Sequence, residues 1–428
     1  MPRTYIGTLR GLEDGTRVVI YGWMQEARIM KNISFLILRD STGTIQATFK
    51  NNEATLDIIK RISRESIVRV EGTVNKKSIS KAGIEISGSS VSVVNEAEAP
   101  LPLPVVDPVQ ADLETRLNSR FMDLRKRNIA AIFRIESSLL WGIRSYLHDQ
   151  KFIEVHTPKI VAAATEGGSD LFPVRYFEKD AYLNQSPQLY KEVLMSAGFD
   201  RVFEVGPAFR AEEHNTTRHL NEFTSIDIEM SFADHNDAMT MLENAIRSGI
   251  EIAVRDNADD FEALGVSVSV PETPFPRITY EQCIDVIGKE GIDFTFGEDF
   301  SPEHLRIIGS RFSGFYFITE WPASVRPFYT MPKTEDPRLT NSFDLQYHEI
   351  EVTSGAQRVH DPKMLIERFN EKKLNVNSFQ FYVDAFRYGM PPHAGWGLGL
   401  ERLTMILLGL NNIRETTLFP RDRTRIVP

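Results

Sequence analysis

The 428-residue sequence contains a single cysteine, Cys283. One cysteine builds neither an intrachain disulfide framework nor a cysteine-ligated zinc site. The expectation is a reducing compartment, with Cys283 as a small packing residue. Long apolar runs are also lacking. The longest near the end, LTMILLGL at 403–410, falls well short of the ~20 residues that a membrane span needs. The opening MPRTYIGTLRGLEDG has no apolar core and no small-residue cleavage site, so no signal peptide is expected and the chain reads as soluble and cytoplasmic. Neither GxxxxGK(S/T) nor a strand-linked GxGxxG occurs, which argues against P-loop and Rossmann nucleotide sites. A basic surplus is absent too: 49 Lys and Arg face 59 Asp and Glu, a net charge of −10. On its face that disfavours bulk electrostatic attraction to nucleic acid. The 42% hydrophobic content excludes global disorder.

What is present divides the chain in two. Branched or alternating runs recur at 17–25, 34–40, 43–49, 66–74, 83–87 and 90–94, separated by turn signals such as Asp40-Ser41-Thr42-Gly43. With a helical-looking insert from Ala54 to Ser63, they predict a small Greek-key barrel of the OB type. The stretch APLPLPVVDP at 99–108 breaks the periodicity and reads as a linker. Apolar residues then recur at helical spacing over 130–149. Strands alternate with helical segments near 235–255, 302–311, 362–373 and 399–409. The expected fold class is α+β: an OB-fold barrel over 1–103, a linker or hinge over 104–130, and a large domain over 131–428 on a mostly antiparallel sheet. Residues 1–100 hold 14 Lys and Arg against 11 Asp and Glu, a net of +3 that leaves −13 for the rest. A mildly basic barrel with exposed aromatics suits single-stranded nucleic acid. A protein-contact module is the alternative.

Three segments carry candidate chemistry. VFEVGPAFRAEEHNTTRHLNEFTSIDIEM (202–230) reads as strand, polar loop, strand. Arg210 and Glu212, two apart, would share one face of the first strand. The loop carries Arg218 and His219, and Phe223, Ser225, Asp227 and Glu229 alternate onto one face of the return strand. Arginine on phosphate, loop cations for the outer phosphates and an aromatic to stack a base would make a nucleotide site; a hairpin whose charges merely solvate an exposed face is the alternative. In SFDLQYHEIEVTSGAQR (342–358), Asp344, Glu351 and Ser354 offer hard oxygen donors suited to Mg²⁺. Arg358 follows, able to hold a carboxylate by two parallel bonds; solvated acids on a strand edge would look the same. In GMPPHAGWGLGLERLTMILLG (389–409), Gly395, Gly397 and Gly399 precede Glu401-Arg402 at the start of an apolar helix. There a backbone can approach a ligand and an arginine can reach phosphate or lie on a purine, although tight packing would also ask for glycines.

These segments resemble the signature motifs of class II aminoacyl-tRNA synthetases. KFIEVHTPKI (151–160), with Pro158, resembles motif 1. FRAE (209–212) with RHLNEF (218–223) resembles motif 2, and GWGLGLER (395–402) resembles motif 3. Their order, after an N-terminal OB barrel, is that of the subclass handling aspartate, asparagine and lysine. ATEGGSDLFPV (164–174), NQSPQLYKEVLM (184–195), TSGAQR (353–358) and LFPRDRTRIVP (418–428) are similar to aspartyl-tRNA synthetases of the archaeal and eukaryotic type. The likeness spans essentially the whole chain.

The resemblance implies ATP-dependent ligation of L-aspartate to tRNA-Asp through an aspartyl-adenylate. It implies Mg²⁺ as cofactor, a homodimer paired through motif 1 around Pro158, and neither membrane nor DNA as partner. Arg210, Glu351 and Arg402 would be catalytic. Aspartate would meet Glu166, Ser186, Gln188, Lys191, Arg210, Asp227, Ser354 and Arg358. Ser186 and Gln188 would take its ammonium, and Arg358 and Lys191 its side-chain carboxylate, with Asp227 orienting Arg358. ATP would meet Arg210, Glu212, Arg218, His219, Leu220, Phe223, Glu351, Gly399 and Arg402, its adenine lying between Phe223 and Arg402. Asp344, Glu351 and Ser354 would hold the metal. Arg28, Phe35, Gln46 and Glu85 would read the anticodon, although Phe35 precedes Leu36-Ile37-Leu38 and a core position is the alternative. Lys191 favours aspartate, because an asparagine enzyme has no side-chain charge to neutralise. An asparaginyl-tRNA synthetase is the runner-up, and a non-catalytic tRNA-binding paralogue the third reading. Gln25 and Lys81 stand where strict and relaxed relatives differ: Gln25 matches neither form and Lys81 the strict one, so charging of tRNA-Asn stays open.

Overall fold

Alternation of apolar and polar residues closes the first five strands on themselves. They are β1 (Arg17–Ile29), β2 (Ile33–Asp40), β3 (Gly43–Lys50), β4 (Ile67–Asn75) and β5 (Glu85–Asn95), in the barrel order β1-β2-β3-β5-β4. Period-two burial sends Val68, Val70 and Val74 of β4 inward, against Ile20, Leu36, Leu38, Phe49 and Ile86. The insert folds as the helix Glu53–Arg61, which adds Ile59 to the same core. Gln25 is the extra residue of a β-bulge, since Met24 pairs with Leu38 and Glu26 already with Ile37.

The computed structural model describes residues 2–51, 53–78, 83–106, 111–162, 171–214 and 216–428. They fall into two compact units, Met1–Asp123 and Leu124–Pro428. The second contains β6 (Ile153–Glu154), β7 (Ile160–Val161), β8 (Pro173–Tyr176), β9 (Lys179–Leu183), β10 (Arg201–Phe209), β11 (Glu222–Ser231), β12 (Arg277–Thr279), β13 (Phe315–Thr319), β14 (Ser342–Tyr347), β15 (Ile350–Gln357) and β16 (His393–Gly399). Eight of them form one sheet in the order β12-β13-β14-β15-β16-β11-β10-β6. Its pairs are antiparallel except β12–β13 and β10–β6.

The two faces of this sheet differ, and the difference makes the site. One face sends Ile226, Ile228, Trp396 and Leu398 against the helices Arg127–Asp149 and His235–Asp256, which supply Ile135, Leu139, Ile143, Leu242 and Ile246. The two helices touch at glycines: a Cβ on Gly142 would lie 2.7 Å from the Cα of Gly249. On the other face Asp227, Gly397, Ser354 and Asp344 stand in one cross-strand row over β11, β16, β15 and β14.

Candidate active site

That polar row floors an open cavity of about 520 Å³. The glycines decide its depth, because a Cβ on Gly397 would lie 3.0 Å from Asp227 Oδ1. The lining brings together Ser186, Gln188, Arg210, Glu212, Arg218, His219, Leu220, Phe223, Asp227, Glu351, Ser354, Arg358, Gly399 and Arg402. These come from the three sequence segments and from the helix Gln188–Ser196 with its approach. Lys191 and Asp344 lie behind the wall, and Glu166 and Lys81 lie outside the described residues.

Arg210 and Glu212 do not share a strand face, as the sequence led one to expect. β10 ends at Phe209, and both residues sit in the loop beyond it. Asn221 pins that loop: its backbone carbonyl accepts from Arg210 N at 3.0 Å, and its Nδ2 donates to Arg210 O at 2.7 Å. The Arg210 guanidinium lies 5.4 Å from the Phe223 ring centroid, a cation–π distance. Arg402 donates to the Glu351 carbonyl at 2.8 Å, and Arg218 pairs with Glu349 at 3.1 Å. Burial, with Arg210 and Arg218 nearby, lowers the Arg402 pKa against the pull of Glu351 and Glu212. Burial, with Arg402 and Arg210 nearby, pushes the His219 imidazole below its ordinary value. Cations thus converge at this end, as an anionic ligand requires.

At the other end three buried acids, Asp227, Glu229 and Glu192, face Lys191, Arg358 and His393. Lys191 Nζ donates to Asp227 Oδ1 at 2.9 Å. Arg358 pairs with Glu229, Nε to Oε1 at 3.1 Å, so the residue that orients Arg358 is Glu229 and not Asp227. Both acids alternate onto one face of β11, and only the fold decides which of them Arg358 reaches. Burial alone would lower the Arg358 pKa, but the charges of Glu229 and Glu192 raise it. Burial would raise the Glu192 carboxyl, and the hydrogen bond and charge of His393 outweigh it and hold the group below its usual range.

Arg326 was not anticipated. It lies in the connection between β13 and β14, stacks 4.5 Å from the Trp321 ring, and donates to Asp344 Oδ2 at 2.6 Å and Ser354 Oγ at 3.2 Å. Burial, with Glu351 close by, pushes the Asp344 carboxyl up to about 6 despite Arg326.

A family described as "tRNA synthetases class II (D, K and N)" matches residues 112–423, and one described as "OB-fold nucleic acid binding domain" matches residues 18–94. A protein of Thermoplasma acidophilum named aspartate–tRNA(Asp) ligase is 90% identical over the full length of both chains. The chain belongs to the aspartyl-tRNA synthetases of class II. A relative in Archaeoglobus fulgidus, 50% identical over both full lengths, is named aspartate–tRNA(Asp/Asn) ligase. The asparaginyl-tRNA synthetase of Pyrococcus horikoshii, complexed with asparaginyl-adenylate, matches with a TM-score of 0.94 at 31% identity, covering all of both chains. The α+β class with an N-terminal OB barrel is thereby established for this synthetase.

On the barrel of this synthetase, Arg28, Phe35 and Thr48 are neighbours across β1, β2 and β3 on the outer face. Phe35 is half-buried and stands outside the core cluster, so the core alternative for it is not what the fold shows. Gln46 and Thr48 both donate to Glu85 at 2.9 Å, and Arg28 donates to Glu26 at 2.9 Å. Among the described residues no helix is long and apolar enough to cross a membrane.

Proposed function

We propose that the chain activates L-aspartate with ATP and transfers it to tRNA-Asp, working as a cytoplasmic homodimer. The observation that carries this reading is the division of one cavity between Arg358, backed by buried Glu229, and the cluster of Arg210, Arg218 and Arg402. The first suits a side-chain carboxylate and the second a polyphosphate.

In the first step the α-carboxylate of aspartate attacks the α-phosphorus of ATP, the bond to the bridging oxygen breaks, and pyrophosphate leaves. A terminal ribose hydroxyl of tRNA then attacks the carbonyl carbon of the adenylate, the acyl–phosphate bond breaks, and AMP and the hydroxyl proton are released. Neither step needs a covalent bond to the protein. Arg210 holds the α-carboxylate against the α-phosphate and neutralises charge where it develops. Arg218, His219 and Arg402 take the outer phosphates, and adenine lies between Phe223 and Arg402. Catalysis is then positioning and charge neutralisation.

The oxygen donors Asp344, Glu351 and Ser354 fit Mg²⁺. Asp344 Oδ1 is buried without a hydrogen-bond partner among the described residues. Two carboxylates and a hydroxyl would leave positions around Mg²⁺ for water and phosphate oxygens. When bound, Mg²⁺ withdraws charge from the phosphates.

Exposed Ile153 and Ile160, within the motif 1 segment that holds Pro158, support pairing of two copies through that segment. Charging of tRNA-Asn as well is a second reading, favoured by the name of the Archaeoglobus fulgidus relative. The proposal is tested with Arg210→Ala. Aspartate-dependent ATP–pyrophosphate exchange should fall by at least ~10²-fold with thermal unfolding unchanged, and normal exchange in the variant refutes the assignment.

A further inference from the structure

Beneath the aspartate end of the cavity runs a hydrogen-bonded chain that the mechanism above does not use. Glu192 and His393 are both completely buried, at 0% exposure. Glu192 Oε1 accepts from Gln188 Nε2 at 2.6 Å, one helical turn earlier on the helix Gln188–Ser196. Its Oε2 accepts from the Tyr382 hydroxyl at 2.7 Å and lies 3.1 Å from His393 Nε2. The other ring nitrogen, Nδ1, lies 2.8 Å from the carbonyl oxygen of Pro391.

The proton positions follow from what each group can do. A backbone carbonyl only accepts, so His393 Nδ1 carries a hydrogen. An ionised carboxylate only accepts, so Nε2 carries one as well, and His393 is an imidazolium paired with Glu192. With its Oε2 taken by two donors, Glu192 meets Gln188 as an acceptor. Only the NH₂ end of the Gln188 amide can face it. The carbonyl end, Gln188 Oε1, accepts no hydrogen bond from the described residues, and Gln188 lines the cavity.

We propose that Glu192, held by His393 and Tyr382, is a positioning residue that locks the Gln188 amide with its carbonyl oxygen toward the α-ammonium of the substrate. This rests on the reading of Gln188 as the residue that meets that ammonium. A carbonyl oxygen attracts an ammonium, whereas a flipped amide would present NH₂ donors to it. Flipping would also set the amide oxygen against the Glu192 carboxylate, acceptor against acceptor, in a buried site where such a mismatch is costly. Glu192 therefore acts on the substrate without touching it.

The test uses two ligands that differ in the ammonium alone. L-Aspartate carries it, and succinate has the same two carboxylates without it. In the full-length protein, Glu192→Gln gives Gln188 a partner that can pair with either orientation of its amide. Aspartate affinity by calorimetry should fall by ~10-fold or more, as for one misplaced hydrogen bond. The inhibition constant of succinate should move less than about twofold, and KM for aspartate should rise more than kcat falls. Tyr382→Phe removes one donor to Glu192 and should give a smaller loss with the same selectivity. Equal losses for both ligands, or no loss for either, overturn the proposal. If Glu192→Gln does not fold, Tyr382→Phe decides by the same criterion. Absence of aspartate binding in the unmodified protein defeats the underlying reading instead.

Discussion

Lys191 and Asp227 form a buried ion pair, Nζ to Oδ1 at 2.9 Å, with the Trp396 carbonyl accepting from the same ammonium at 3.1 Å and Glu229 Oε2 at 3.7 Å. Lys191 is 2% exposed and stands behind the cavity wall, while Asp227 lines it. A cation placed here offsets two acids that the substrate's negative charges would otherwise meet unscreened.

Replacing this lysine tests that balance. Lys191→Met leaves Asp227 and Glu229 facing each other with one cation fewer, and breaking a buried pair from one side costs about 3–5 kcal/mol. Urea denaturation should show a loss of that order, together with loss of aspartate-dependent exchange. The double variant Lys191→Met/Asp227→Asn should regain much of the stability but not the activity. Full stability in the single variant contradicts the role given to the pair.

Arg326 predicts a different behaviour. It already neutralises Asp344 and holds Ser354, so a divalent ion must compete with it for those oxygens. Arg326→Gln should bind Mn²⁺ alone at least about tenfold more tightly, since one nearby unit charge at partly buried sites is worth more than ~1.4 kcal/mol. Calorimetry without ATP measures this, and weaker or unchanged Mn²⁺ binding contradicts it.

Much of this architecture is legible in the sequence. The alternation of β4 and the glycines of 395–399 are local signals, read directly as a barrel strand and as a close backbone approach. The α+β class follows from such signals, and the synthetase resemblance from the segments FRAE, RHLNEF and GWGLGLER. What escaped is non-local. Asp227 and Glu229 are equivalent in period and charge, so only the register of β11 shows that Arg358 meets Glu229. Arg326 lies in a connection without periodicity, and its partner Asp344 is 18 residues away. Glu192 and His393 are separated by 201 residues, and no spacing rule links them. Arg210 and Glu212 were expected on a strand face because the strand was read on past Phe209, where β10 ends.

Phe35 separates the two activities. It stands on the outer face of the barrel between Arg28 and Thr48, and stacking on a base is worth about 1–3 kcal/mol. Phe35→Ala should weaken tRNA binding by that amount and leave ATP–pyrophosphate exchange unchanged. Equal loss of both would assign Phe35 to the structure of the barrel rather than to RNA.

Glu136 makes stability depend on pH. Burial, with Glu401 nearby, pushes its carboxyl up to about 8, and its Oε2 has no hydrogen-bond partner among the described residues. Between the ordinary value of 4.5 and 8 the folded state keeps a proton that the unfolded chain releases. The folded state binds more protons, so stability falls as pH rises through that window, by up to ~1.4 kcal/mol per unit. Glu136→Gln should match the unmodified protein near pH 4.5 and exceed it near pH 8. Urea denaturation at both values checks this, and a difference independent of pH contradicts it.

The most direct measurement is aminoacylation of separately prepared tRNA-Asp and tRNA-Asn transcripts with aspartate and with asparagine. The cavity described here predicts aspartate on tRNA-Asp and no product with asparagine on either transcript. Charging with asparagine, or no charging at all, would contradict the account of Lys191, Asp227 and Arg358 as a site for a carboxylate.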